Sequence, residues 1–217
     1  MNSVLAIGAH PDDIELGCAG ALLRHRENGD AIFLLVMTKG EASGDSERRV
    51  KECIASAKVL SAEHVFFGGL RDTRVDDGFE TIMAIEKVIN QVNPQIIYSH
   101  SYKDTHQDHR NTGYATLSAA RRSKKILMYE SPTTFKEFSP NIFIDIKSQF
   151  DRKKEVMHLF TSQSDKQWWS RGKQAALALE GLASYRGFQA GLEVAEAFEL
   201  IRIVINGDEQ ILPKKSS

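Results

Sequence analysis

Cysteine is scarce in this chain of 217 residues: there are two, Cys18 and Cys53. They are far apart and form no C-x-x-C pair. That excludes a disulfide framework and makes a cytoplasmic setting the expectation. Neither sign of charge is in excess: 28 Lys and Arg face 29 Asp and Glu, for a net charge of -1. Such a balance offers no basic surface for nucleic acid and no attraction to an anionic membrane. No apolar run approaches the ~20 residues needed to span a bilayer. The start, Met1-Asn2-Ser3, lacks the positive region of a signal peptide. Linkers, low-complexity tracts and internal repeats are also missing. With 41% hydrophobic and 26% charged residues, the expectation is one globular domain over 1–217.

What is present is a regular alternation of short apolar runs and helical patterns. Val4 to Ala9, Ala31 to Met37, Val65 to Phe67, Ile96 to Tyr98 and Ile126 to Tyr129 read as buried strands. Between them, Ile14–Glu27, Ser46–Leu60, Ile82–Val92 and Asp108–Arg122 read as helices. This order predicts a Rossmann-like, three-layer α/β/α fold with a mostly parallel, doubly wound sheet. The last third is looser. Ile142 to Ile146 reads as a strand, Lys147–Phe160 and Gln174–Leu182 as helices, and Ala195–Ile205 as a final strand. Gly17 and Gly20 fall in the first helix, where they cost propensity and imply close packing.

Two clusters carry chemistry. His10-Pro11-Asp12-Asp13 follows the first strand and opens the first helix. His106-Gln107-Asp108-His109 follows the fourth. Open α/β sheets place ligands at such strand ends. One Asp can cap a helix, but one cap needs one carboxylate and leaves the other groups unexplained. A catalytic zinc site takes three N or O ligands and keeps one position open. Together the clusters can supply that set, with groups to spare for proton transfer. A nucleotide-binding module fits poorly, because Gly8-Ala9-His10 offers neither G-x-G-x-x-G nor a Walker lysine. A structural zinc protein remains an alternative, although structural sites usually close with four ligands.

In these motifs the chain resembles the PIG-L and LmbE-like zinc-dependent deacetylases. That family carries His-Pro-Asp-Asp after the first strand and His-x-Asp-His after a later one. Arg49-Val50-Lys51-Glu52, Ser162-Gln163 and Ala195-Glu196-Ala197-Phe198 are weaker echoes. The resemblance implies a hydrolase that removes an N-acetyl group from an N-acetylglucosamine-type sugar or conjugate. It implies His10, Asp13 and His109 as zinc ligands, with Fe2+ or Co2+ as substitutes. Asp12 would be the general base on zinc-activated water. His106 would act as general acid or steady the oxyanion, and Asp108 would orient a neighbouring imidazole. Gln107 stands where relatives often have Pro. Asp104 and Thr105 stand where some have Tyr or Arg. An amidase acting on a larger N-acyl conjugate is the runner-up.

Other residues divide into sharper and duller readings. Arg49 binds a substrate hydroxyl or acidic group, or else forms a surface pair with Glu52. Arg71, Asp72 and Arg74 lie in a long loop able to cover a sugar, or are solvated charge. His100 ends the fourth strand and is a candidate to support the site. His25, His64 and His158 read as solvated. Trp168-Trp169 is an aromatic platform, a subunit contact or core. Partners are expected to be a small N-acetyl sugar or glycoconjugate, and a second copy in a homo-oligomer.

Overall fold

The computed structural model describes residues 1–164 and 172–205. The Trp168-Trp169 pair lies outside them. Seven strands form one sheet in the order β3-β2-β1-β4-β5-β7-β6. These are β1 (Ser3–Gly8), β2 (Ala31–Val36), β3 (His64–Phe67), β4 (Ile96–His100), β5 (Lys125–Tyr129), β6 (Ile142–Asp145) and β7 (Ala195–Ile203). The first five pair in parallel, as the alternation predicts. β7 runs antiparallel to both β5 and β6. The chain builds β1, β2 and β3 outward, then crosses back to lay β4 against the other side of β1. The seam between β1 and β4 is therefore the topological switch point, where such sheets open a crevice at the strands' carboxyl ends.

Residue alternation puts one apolar set on each face of the sheet. Val4 and Ala6 join Ile32, Leu34 and Leu22 on one side, under α1 (Asp13–Glu27), α2 (Ser46–Val59) and α5 (Phe150–His158). Leu5 and Ile7 join Leu35, Ile85 and Ala115 on the other, under α3 (Phe79–Val92) and α4 (Gln107–Ala119). The three-layer α/β/α arrangement follows.

The structure refines several boundaries. The helix expected over 147–160 is a 3-10 turn at Lys147–Gln149, then α5, then a separate short α6 (Thr161–Ser164). The helix expected over Gln174–Leu182 lies within the longer α7 (Gly172–Ala190). The first helix begins at Asp13 and breaks at Cys18, whose φ of -148° is not helical. Gly17 and Gly20 pack as their sequence context implies. A Cβ on Gly17 would stand 2.2 Å from the Tyr129 ring, and one on Gly20 2.7 Å from Ile146.

Candidate functional site

The loop after β1 turns sharply. Asp12 adopts the left-handed region, with φ 108°, which is costly for a residue with a Cβ and typical of functional turns. Its side chain makes no helix-capping bond. The Asp13 carboxylate instead accepts the His10 backbone N–H through Oδ2 at 2.7 Å. The capping explanation of the adjacent aspartates therefore does not describe this turn. Across the switch point, β4 ends on His100 and the following loop leads into α4. His106 is the residue before that helix, and its Nδ1 accepts the Asp108 N–H at 3.2 Å. The neutral ring then carries its proton on Nε2.

The two clusters meet on Asp13. His10 Nδ1 lies 3.2 Å from Asp13 Oδ2, and His109 Nε2 lies 3.3 Å from Asp13 Oδ1. The opposite nitrogen of each ring is backed by carboxylate. His10 Nε2 is 3.1 Å from both Asp108 Oδ2 and Asp72 Oδ1. His109 Nδ1 is 3.2 Å from Asp104 Oδ2. Imidazoles that hold metals are commonly fixed this way, with the outward N–H on a carboxylate. His10, His106 and His109 present donor atoms within 4.8 Å of one another. So do Asp13, His100 and His109, and also His10, Asp72 and Asp108. The sequence-implied set of His10, Asp13 and His109 spans the first two groups. Asp108 Oδ1 and His100 Nδ1 are buried without a hydrogen-bond partner among the described residues. Two imidazoles and a carboxylate brought together in this way suit a divalent cation.

Electrostatics divide the adjacent carboxylates. Burial and the charge of Asp13 push Asp12 up, to about 7, against the pull of Arg49 and two histidines. Burial would also raise Asp13, but His109, His100 and His10 overcome it and hold Asp13 well below the carboxylate range. Burial and the nearby charge of His109 push His100 down to about 4. Burial, His109 and His10 also lower His106. One carboxylate is thus poised to take a proton near neutrality while its neighbour stays charged.

Other expected residues find definite places. Arg49 is buried, so the surface pair with Glu52 is overturned. Glu52 instead binds Arg48, Thr161 and Ser162, tying α2 to α6. The Arg49 guanidinium donates to the carbonyls of Pro11 (2.7 Å) and Gly40 (3.1 Å), to the Ser43 hydroxyl, and to Asp12 Oδ1 at 3.3 Å. It clamps the Asp12 turn from below. The imidazole beside Asp108 is that of His10. His100, fully buried, contacts Asp13 Oδ2 at 3.0 Å, so it supports the cluster. Arg71 and Arg74 are exposed. His64 and His158 are exposed as expected. His25 is not. The last turn of α1 brings it over the sheet, where its ring bonds Asp30 (2.8 Å) and the Tyr98 hydroxyl (2.9 Å).

Two residues take supporting places that the sequence reading did not assign to them. Asp104 gathers His109, Ser131, Thr133 and the His106 N–H around one carboxylate. Asp72 joins His10 to the Ala42 N–H, while neighbouring Thr73 donates its N–H to Asp108 at 2.7 Å. The signal for Asp104 was its place two residues before His106. Asp72 carried none beyond its long loop. A cavity of about 450 Å³ between the C-terminal ends of α3 and α4 opens at the opposite end of the strands, away from this chemistry.

Fold and site together define an α/β protein with a buried His/Asp centre fit for a divalent ion at the sheet's switch point. Residues 5–120 match the family model described as PIG-L: GlcNAc-PI de-N-acetylase, and the chain belongs to this family. It is accordingly an enzyme of the deacetylase class. It is 36% identical over 154 residues to a protein described as uncharacterized deacetylase YaiS of Escherichia coli. That match covers 68% of this chain and 83% of the relative. It is 25% identical over 243 residues to 4-oxalmesaconate hydratase of Pseudomonas putida, covering 98% and 90%. The solved N,N'-diacetylchitobiose deacetylase of Pyrococcus horikoshii shares the fold, with a TM-score of 0.82 at 20% identity over 92% and 84%. Among the described residues no helix is long and apolar enough to cross a membrane.

Proposed function

We propose that this protein is a divalent-cation-dependent hydrolase that removes the N-acetyl group from an N-acetylglucosamine-type sugar or conjugate. The observation that carries the reading is the convergence of His10 and His109 on Asp13, with Asp12 beside them. Those first three residues would hold the cation. A bound zinc ion supplies Lewis acidity that acidifies a water and polarises the amide carbonyl. Fe2+ or Co2+ would serve in the same donor set.

The chain's own residues supply the rest. The Asp12 side chain is 24% exposed, with Oδ1 held by Arg49; its other oxygen is the one left to take the water's proton. Its raised carboxyl suits a base working near neutral pH. His106 carries its proton on Nε2 in the neutral ring, so it would donate a hydrogen bond to the developing oxyanion, and the proton taken up by Asp12 would be the one delivered to the leaving nitrogen. Asp108 orients His10, and Asp104 orients His109. The amide C–N bond breaks, hydroxyl adds to the carbonyl carbon, and the proton passes to the amine. Products are acetate and a free amino sugar. Neither motif contains a Ser or Cys, so no acyl-enzyme is required. Arg49 serves first as the clamp on Asp12. At 3% exposure it is too buried for a sugar hydroxyl or acidic substituent to reach it without movement of the surrounding loops. The same chemistry would serve an amidase acting on a larger N-acyl conjugate.

The test is elemental analysis of purified protein, followed by a screen of N-acetyl sugars for paired release of acetate and amine. About one divalent ion per chain and chelator-sensitive release support the reading. Full activity in metal-free protein, or metal binding with hydration of an unsaturated acid and no amine release, overturns it. Binding of metal without turnover of any amide would leave a non-catalytic zinc protein.

A further inference from the structure

The Ala195–Phe198 signature and a buried lysine take no part in the chemistry above, yet they meet at the break in α1. The short first turn, Asp13 to Gly17, carries Asp13. Cys18 then leaves the helical region. Such a break orphans donors on one side and acceptors on the other. The Glu196 carboxylate accepts the N–H groups of Gly20 (2.9 Å) and Ala21 (2.7 Å). Lys153 Nζ donates to the carbonyl of Leu16 at 2.7 Å and to Glu196 Oε1 at 2.5 Å. Both side chains are almost fully buried, at 3% and 4% exposure. One ion pair thus substitutes for the missing helix bonds on both sides of the break. It joins the Asp13 turn to α5 and β7. Gly17, pressed on Tyr129, fixes the same turn from the sheet side, and the Tyr129 hydroxyl donates to Ile7 at 2.7 Å.

We propose that Lys153 and Glu196 are positioning residues that set the direction of the Asp12-Asp13 turn by bridging the broken helix. A continuous helix would hold its first turn on the axis of the rest. Here the first turn departs from that axis, and the pair holds the departure at one angle. A buried pair of this kind is weak evidence of stability for its own sake. Two helix fragments aimed by it are a structural use for it.

The functional consequence rests on the cation site proposed above. Glu196→Gln keeps the shape but sets an amide N–H against a backbone N–H. We expect zinc affinity, measured by competition with a chromogenic chelator, to fall about tenfold or more, the range for residues that orient ligands. Amide exchange at Gly20 and Ala21 should accelerate. The double variant Lys153→Met/Glu196→Gln leaves no unpaired buried charge and guards against simple misfolding; it should show the same loss. Removing the exposed Lys147–Glu193 pair is the control and should change neither readout. Folded variants, held well below their melting temperatures, that bind zinc like the wild type overturn the proposal. Wild-type protein that binds no zinc would instead overturn the site reading, and fast exchange at Gly20 and Ala21 would still report the bridge.

Discussion

Each end of the β1–β4 seam holds histidine bonded to aspartate, yet the two ends differ in kind. At the amino end, His25 uses both nitrogens, on Asp30 and Tyr98, and Asp30 also accepts the Asn2 backbone and side-chain N–H groups. That cluster is closed. At the carboxyl end, four histidines crowd five aspartates, Asp108 Oδ1, His100 Nδ1 and Arg49 Nε are buried without a hydrogen-bond partner among the described residues, and Asp12 is strained. A His–Asp contact alone is therefore no sign of function. Convergence, unsatisfied atoms and a left-handed turn together are. The satisfied end contributes to stability, whereas the unsatisfied end is arranged for a group the chain does not itself provide.

Substitutions should break this contrast most sharply at Asp12. Asp12→Asn should retain the cation and lose turnover by ~10²–10⁴-fold, the usual worth of a general base. Asp13→Asn should instead weaken metal binding, because it removes the carboxylate on which both imidazoles converge. Added zinc should restore part of the activity in that variant and none in the first. Titration of zinc against each variant, with amine release measured in parallel, checks both. Zinc lost from Asp12→Asn and kept by Asp13→Asn would reverse the roles.

Asp104 sharpens the comparison at intermediate size. Asp104→Asn keeps the shape and removes the charge behind His109. Cation affinity should fall by ~10–100-fold, and the absorption spectrum of a cobalt-loaded sample should shift as the ligand ring turns. Unchanged affinity and spectrum would reduce Asp104 to a clip between the loops after β4 and β5.

The sequence foretold the carboxyl end better than the amino end, for a physical reason. Strands, helices and the two histidine motifs leave local marks: apolar runs, periodicity, paired ligand types after a strand. His25 was misjudged because its partners, Asp30 and Tyr98, lie on different elements and meet only in the packed sheet. Asp72 was read only as part of a covering loop and Glu196 only as part of a weak echo, and their contacts went unread for the same reason: each acts through a contact with a distant segment. The break at Cys18 has no local signature either, since it is stabilised by side chains from α5 and β7. Arg49 had been marked, but its role as a clamp appeared only when Pro11 and Gly40 were brought beside it.

The smallest effect belongs to the closed end. Burial pushes the Asp30 carboxyl up, but the Asn2 donors and His25 outweigh it and hold Asp30 below its ordinary value. A carboxylate depressed in the folded state contributes stability that is present above the unfolded value, about 3.9. That contribution is lost as pH falls through the folded value. Asp30→Asn should therefore cost about 1 kcal/mol at neutral pH, the scale of a hydrogen bond. The gap between wild type and variant should stay level from pH 7 to about 5, then close on further acidification. Denaturant melts at several pH values measure this gap. Turnover and zinc affinity at 25 °C should match the wild type, because the cluster lies at the far end of β1. An Asp30→Asn protein of native stability that lost turnover would show the two ends to be coupled through the strands, and the division drawn between them would fail.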